Sequence, residues 1–263
     1  MRIHGQVVLV TGASEGIGAA CAREFARRGA QLSLTARRGQ LLESIVPGAL
    51  TTPGDLCDAD VRRAVVERTI GHYGRVDILI NNAGAGLYAP SWSAPEQDVR
   101  RLFELNFFAA WDMIRLVVPA MRHERSGMIV NIGSIAGRVT LPWFTMYSAT
   151  KYALGSLTEG LRMELARDGV RTMSVCPGYV RTLFQQHVLG GRPPESVVRS
   201  KRFAVTAERC AEAVADGVER DARTVVTPRV GWMLIAFARL FPATLEGRLA
   251  GILHSDASAG KAS

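Results

Sequence analysis

Val7-Val8-Leu9-Val10-Thr11-Gly12-Ala13-Ser14-Glu15-Gly16-Ile17-Gly18 decides how this chain folds. The aliphatic run suits a strand covered on both faces, and the amphipathic stretch Ile17–Arg28 beyond it suits a helix. Between them, Gly12, Gly16 and Gly18 let the backbone turn tightly and approach a diphosphate seated at a helix N-terminus. A glycine-rich turn alone also has an ordinary structural reading. Its place between the first strand and the first helix favours the dinucleotide reading.

Working outward, the same alternation recurs along the chain. Strands are expected at Val7–Thr11, Gln31–Ala36, Ala49–Thr52, Val76–Asn81, Met128–Ile132, Arg171–Cys176 and Thr224–Thr227. Helical patterns lie between them at Ile17–Arg28, Asp60–His72, Val99–Met121, Ser148–Arg167 and Ala207–Glu219. Such alternation predicts an α/β fold, a doubly wound, mostly parallel seven-stranded sheet with helices on both faces. No repeat, linker or composition shift divides the chain, so one domain is expected. Leu183–Arg202 lacks clear periodicity, and so long a loop in a compact domain is usually functional.

The 263 residues are 48% hydrophobic and 21% charged, which excludes global disorder. Thirty-two basic and 24 acidic residues give a net charge of +8, and the pI is near 9.8. Only Lys151, Lys201 and Lys261 are lysine; the other basic residues are arginine. A basic excess raises nucleic-acid or membrane-surface binding. The arginines, however, run from Arg2 to Arg248 without a concentrated tract or interleaved aromatics, so no nucleic-acid partner is expected. Cys21, Cys57, Cys176 and Cys210 form no metal-ligand spacing and suit reduced thiols in a cytoplasmic protein. Val7–Val10 is too short for a signal-peptide core, and no apolar run reaches the roughly 18 residues of a membrane span.

The glycine spacing is G-x3-G-x-G, and further motifs follow in order. Asn81-Asn82-Ala83-Gly84 succeeds the fourth strand, and Asn106 lies in a helical stretch. Ser134 follows the fifth strand, Tyr147 stands thirteen residues on, and Lys151 four beyond it. Pro177-Gly178 then leads through Val180 to Thr182. In this set the chain resembles the short-chain dehydrogenase/reductase family, with T-G-x3-G-x-G, N-N-A-G, Ser with Tyr-x-x-x-Lys, and P-G-x3-T, from about residue 5 to 228.

Tyr147 and Lys151, at i and i+4, share one helix face. An isolated pair of this kind is an ordinary helix surface; within the ordered set it reads as a site. A free tyrosine titrates near 10, and a neighbouring ammonium lowers that value. The resemblance implies that Tyr147 is the acid–base residue, that Ser134 holds the substrate oxygen, and that Lys151 binds the nicotinamide ribose. It further implies that Asn106 anchors a water linking Lys151 to solvent; from the residue alone, a capped or bent helix is equally compatible.

A Rossmann-type cofactor site is implied over residues 1–228, formed by Gly12, Ser14, Gly16, Ile17, Gly18, Asn82, Ala83, Gly84, Tyr147, Lys151, Pro177, Gly178, Val180 and Thr182. Asp55-Leu56 resembles the pair that holds the adenine. Ala36 stands where NAD-preferring relatives carry aspartate, and Arg37 and Arg38 follow. NADP(H) is therefore expected over NAD(H), with Arg37 and Arg38 facing its 2′-phosphate. Glu15 pulls the other way, since many NADP-dependent relatives carry Arg or Lys there.

Specificity is expected from Ala85–Trp92, from Ile135–Met146 with its Leu141-Pro142-Trp143-Phe144 run, and from a lid over residues 183–203. These suit an apolar ketone, aldehyde or 3-oxoacyl substrate. The stretch from 229 to 263 carries an apolar helix with Arg229, Arg239 and Arg248 around it. Packing at a subunit interface or over the pocket is expected of it, with docking on an anionic membrane surface as the alternative. The resemblance implies homodimers or homotetramers built on the helices carrying Asn106 and Tyr147. A non-catalytic NADP-binding sensor and a sugar-nucleotide epimerase or dehydratase are the competing readings. A complete catalytic set is surplus to the first, and the glycine spacing and modest length oppose the second.

Overall fold

Seven parallel strands form the centre of the structure, a computed structural model that describes residues 1–191 and 204–259. β1 (Val7–Thr11) is buried along its whole length and lies between β2 (Gln31–Thr35) and β4 (Ile78–Asn81). β3 (Leu50–Thr51) closes one edge, while β6 (Gly127–Ile132), β7 (Val170–Pro177) and β11 (Thr224–Thr227) extend the other. The order is therefore β3-β2-β1-β4-β6-β7-β11. The chain reverses its direction of travel between β1 and β4, which opens a crevice at their carboxyl ends.

Helices cover both faces. α1 (Gly16–Arg27) buries Ala19, Ala20, Ala22 and Phe25 against one face, together with Val8, Val10, Ile78 and Ile80 of the strands. α2 (Gly39–Ile45) follows β2 and contributes Leu42 and Ile45 to the same core. α3 (Ala59–Tyr73) packs Val65 and Val66 on the other face, with Leu9 and Leu79.

The expected helix Val99–Met121 is broken into three parts. α4 (Glu96–Phe103) passes through a π-helical turn, Glu104–Phe108, into α5 (Ala109–His123). An inserted turn of this kind shifts side-chain direction, and here it sends Asn106 inward, where it is buried. α6 (Thr145–Glu164) starts and ends three residues before the expected Ser148–Arg167.

The segment after Thr182, expected to lack structure, is ordered over its described part. It forms a 3-10 turn, Leu183–His187, then β9 (Leu189–Gly190), which pairs with β5 (Leu87–Tyr88). β8 (Val180–Arg181) pairs with β10 (Val205–Thr206). The remainder of the proposed lid, 192–203, and the tail, 260–263, lie outside the described residues. α7 (Ala207–Glu219) packs beside α1, and α8 (Gly231–Leu240) and α9 (Pro242–Ala259) complete the chain. Among the described residues no helix is long and apolar enough to cross a membrane.

Candidate active site

The glycine loop and the turn after β4 meet at the mouth of the crevice. Asn82 donates through its side-chain amide to the carbonyls of Thr11 (2.9 Å) and Gly12 (3.0 Å). The Thr11 hydroxyl accepts from the backbone of Asn82 (2.9 Å) and Ala83 (3.0 Å). The approach is so close that a Cβ on Gly18 would lie 2.2 Å from the Gly12 carbonyl oxygen. Thr182, returning from β8, comes to 3.3 Å from where a Cβ on Gly16 would be. Glu15 precedes α1 with extended backbone and makes no side-chain cap, and no acid lies in the first turn. The helix N-terminus is therefore suited to an anion, and the bare glycine cradle fits the diphosphate of a dinucleotide.

Glu15 instead reaches sideways, with its carboxylate 2.6 Å from the Arg38 guanidinium and 3.1 Å from Nδ1 of His187. The expectation that Arg38 faces a phosphate therefore meets a carboxylate already in place. Arg37 is exposed beside it. Asp55 accepts from the Cys57 backbone at 3.0 Å. Burial raises its carboxyl, but the Cys57 hydrogen bonds and the Arg101 and Arg37 charges outweigh this and leave it below the usual range. The buried Arg62 donates to the Leu56 carbonyl (2.6 Å) and pairs with Asp112 (2.7 Å).

On the far side of the crevice, β6 and α6 bring Ser134, Tyr147 and Lys151 together. Ser134 has extended backbone and caps the short turn Ile135–Gly137 through the Ala136 amide at 3.0 Å. Gly137 lets that turn lie against α6, since a Cβ there would sit 2.8 Å from the Lys151 backbone. Tyr147 is buried between Phe144 and Phe184, whose ring centroids are 5.7 and 5.8 Å away. Lys151 is buried and donates from Nζ to the Ile132 carbonyl at 2.9 Å, 5.7 Å from the centre of the Tyr147 ring.

The electrostatics differ from the expectation that Lys151 lowers the tyrosine pKa. Burial pushes Tyr147 up to about 12, with a hydrogen bond to Ser134 pulling the other way. Burial also brings Lys151 down to about 8, opposed by the neighbouring Cys176. In each group desolvation outweighs the opposing influence, the Ser134 hydrogen bond for Tyr147 and Cys176 for Lys151.

Asn106 is brought to the same place, buried within the π-helical turn. Its Oδ1 accepts from the Ala85 amide (2.8 Å), and its Nδ2 donates to the Ala85 carbonyl (2.9 Å) and to Thr150 Oγ1 (3.1 Å). The side chain thus pins the turn after β4 to α6. A Cβ on Gly84 would touch both Asn106 Oδ1 (3.1 Å) and Lys151 Nζ (3.5 Å).

Sequence reasoning missed Thr150 and Asn131. Thr150 links Asn106 to the Tyr147 carbonyl, and Asn131 ties β4 to α6 through Asn81 and Thr158. Tyr88 lies edge-on to Trp143 (5.5 Å) and tilted against Phe144 (5.1 Å), extending an apolar wall with Leu87, Leu102, Leu141, Met146 and Leu189. Polar residues inside strands and helices carry no local mark of such partnerships. The Leu141–Phe144 run, the Ala85–Trp92 segment and the stretch after Thr182 each supplied part of the wall expected from the sequence.

Comparison with known proteins agrees with this arrangement. The short chain dehydrogenase family pattern matches residues 6–191. An 11-beta-hydroxysteroid dehydrogenase 1A of Arabidopsis thaliana is 34% identical over 255 residues, 90% of this chain and 71% of that protein. A short chain dehydrogenase of Burkholderia cenocepacia, solved with NADP, superposes with a TM-score of 0.80 at 28% identity, covering 95% of this chain and 99% of its own. One from Burkholderia phymatum, solved with NAD, has a TM-score of 0.84 at 23% identity, covering 93% and 96%, and shares the fold. The chain belongs to the short-chain dehydrogenase/reductase family, oxidoreductases that interconvert CH–OH groups and carbonyls with a nicotinamide cofactor.

Proposed function

We propose that the protein is an NADP(H)-dependent reductase of apolar ketones, aldehydes or 3-oxoacyl compounds. The observation that carries this reading is the grouping of Ser134, Tyr147 and Lys151 under the wall of Tyr88, Trp143, Phe144 and Phe184. The residues proposed to hold the cofactor are the Gly12–Gly18 loop with Ser14 and Ile17, Arg37, Asp55-Leu56, Asn82–Gly84, Tyr147, Lys151 and the Pro177–Thr182 return. When bound, the nicotinamide supplies or accepts the hydride.

The Ser134 hydroxyl donates to the carbonyl oxygen of the substrate and fixes its direction. Tyr147 gives the same oxygen its phenolic proton. Burial, which pushes Tyr147 up to about 12 in the protein alone, leaves its phenolic proton in place at neutral pH, available for donation. Lys151 holds the ribose and stabilises the phenolate left behind; Asn106 and Thr150 keep it and the Ala85 turn in register. The apolar wall excludes water from the reacting carbon.

Two features support NADP(H): no carboxylate at Ala36, and the exposed Arg37 beside it. The Glu15–Arg38 pair leaves the 2′-phosphate chiefly to Arg37. The free thiols support a cytoplasmic setting, and the exposed Phe108, Trp111, Tyr152 and Met163 support an oligomer built on α5 and α6.

Tyr147→Phe tests the reading. It is expected to bind NADPH as the wild type does and more tightly than NADH, while its reduction of an aromatic or long-chain ketone falls about 100-fold or more. Full activity in the variant, or equal affinity for the two cofactors, would sink the corresponding half of the proposal.

A further inference from the structure

The C-terminal helix α8 meets the rest of the protein along a narrow stripe. Gly231 and Ile235 are buried, and Ile235 packs with Val139, Cys176 and Val226. The remaining circumference faces outward with large apolar side chains. Met233 and Leu240 are each 72% exposed, Phe241 54% and Trp232 49%. Phe237 and Phe241 lie against one another at 5.4 Å, making one continuous apolar ridge past the helix end.

Around this ridge stand Arg229, Arg239 and Arg248, all exposed and none ion-paired among the described residues. Between residues 229 and 251 the only acid is Glu246.

We propose that α8 and the turn into α9 dock the protein on an anionic lipid surface. Charge decides the occupant. A second copy meeting this face would bring the arginines of both chains into one interface, with one glutamate per chain to offset three arginines. A bilayer rich in anionic headgroups satisfies both halves of the surface. Trp232, Met233, Leu240 and Phe241 enter the headgroup–acyl boundary, and the arginines meet lipid phosphates. Ten residues of helix span only about 15 Å, so α8 lies in the interface and does not cross it.

The docking has a functional corollary. Ile135, the residue after Ser134, lies under α8, where a Cβ on Gly231 would come within 2.6 Å of its side chain. α8 thus lies between the proposed lipid surface and the turn that follows Ser134. The docking itself rests on the surface of α8 alone and stands or falls independently of the substrate.

Flotation of the full chain with phosphatidylglycerol-containing vesicles, beside pure phosphatidylcholine vesicles, tests it. The expected result is at least ten-fold more protein floating with the anionic vesicles, reversed by high salt. W232S/F241S and, separately, R229Q/R239Q are expected to lose that binding while keeping the wild-type melting curve and NADPH affinity. Both pairs are exposed, and the arginine pair keeps the test alive if removing the aromatics disturbs folding. Wild-type protein that ignores anionic vesicles, or flotation that survives R229Q/R239Q, would overturn the proposal. So would an oligomer that W232S/F241S dissociates in a protein that never floats, which would assign the ridge to a second copy.

Discussion

Lys151 carries its charge in a place that resists charge. Its proton is held more weakly in the folded protein (about 8) than at the ordinary value of 10.5, because burial disfavours the ammonium. Between those values the unfolded chain binds the extra proton, so this residue makes folding stability rise with pH across the window. The thiols of Cys21 and Cys210, raised by burial, act with the opposite sign, so the effect is read against Lys151→Met. In urea unfolding, the wild type is expected to gain roughly 3 kcal/mol on the variant from about pH 7 to pH 10. A pH-independent difference would contradict the burial argument. The pairing of Tyr147 with Lys151 was legible in their i, i+4 spacing, but the sign of their electrostatics was not. Spacing reports proximity, whereas desolvation depends also on Ile132 and Phe184, which come from elsewhere in the chain.

At the scale of elements, the seven strands could be read because a strand buried on both faces is written as an aliphatic run, as in Val7–Val10 and Ile78–Ile80. The two-residue strands β5, β8, β9 and β10 could not, since two residues carry no period and their pairing is set by distant partners. The π-helical turn at Asn106 escaped for a related reason: an inserted residue leaves the apolar stripe of α4 and α5 nearly continuous. Arg62 shows how such elements are tied together. From α3 it reaches Glu104 of that turn (3.1 Å), Asp112 of α5 (2.7 Å) and the Leu56 carbonyl (2.6 Å). Arg62→Met would leave the buried Asp112 carboxylate with Arg115 alone. The expected cost is about 3 kcal/mol in urea unfolding, with weaker NADPH binding as the Leu56 turn loosens. An unchanged unfolding midpoint would show the network to be incidental.

Across the molecule, two groups of large apolar side chains stand outside the core among the described residues. One is the ridge on α8. The other lies on the π-helical turn, α5 and α6, where Phe108, Trp111, Tyr152 and Met163 are exposed. Trp111→Glu is expected to weaken self-association about 100-fold, giving a monomer by sedimentation velocity where a dimer or tetramer is expected of the wild type. A variant that keeps the wild-type sedimentation coefficient would place the interface elsewhere.

The crevice between β1 and β4 has a consequence for the lifetime of the protein. It is stitched by Asn82 to Thr11 and Gly12, residues 71 and 70 positions earlier, so it exists only when the central strands are in register. A nucleotide that fills it therefore recognises the finished fold and nothing less. By mass action, its supply in the cell sets how rarely the chain opens, and so how seldom a protease finds an unfolded copy.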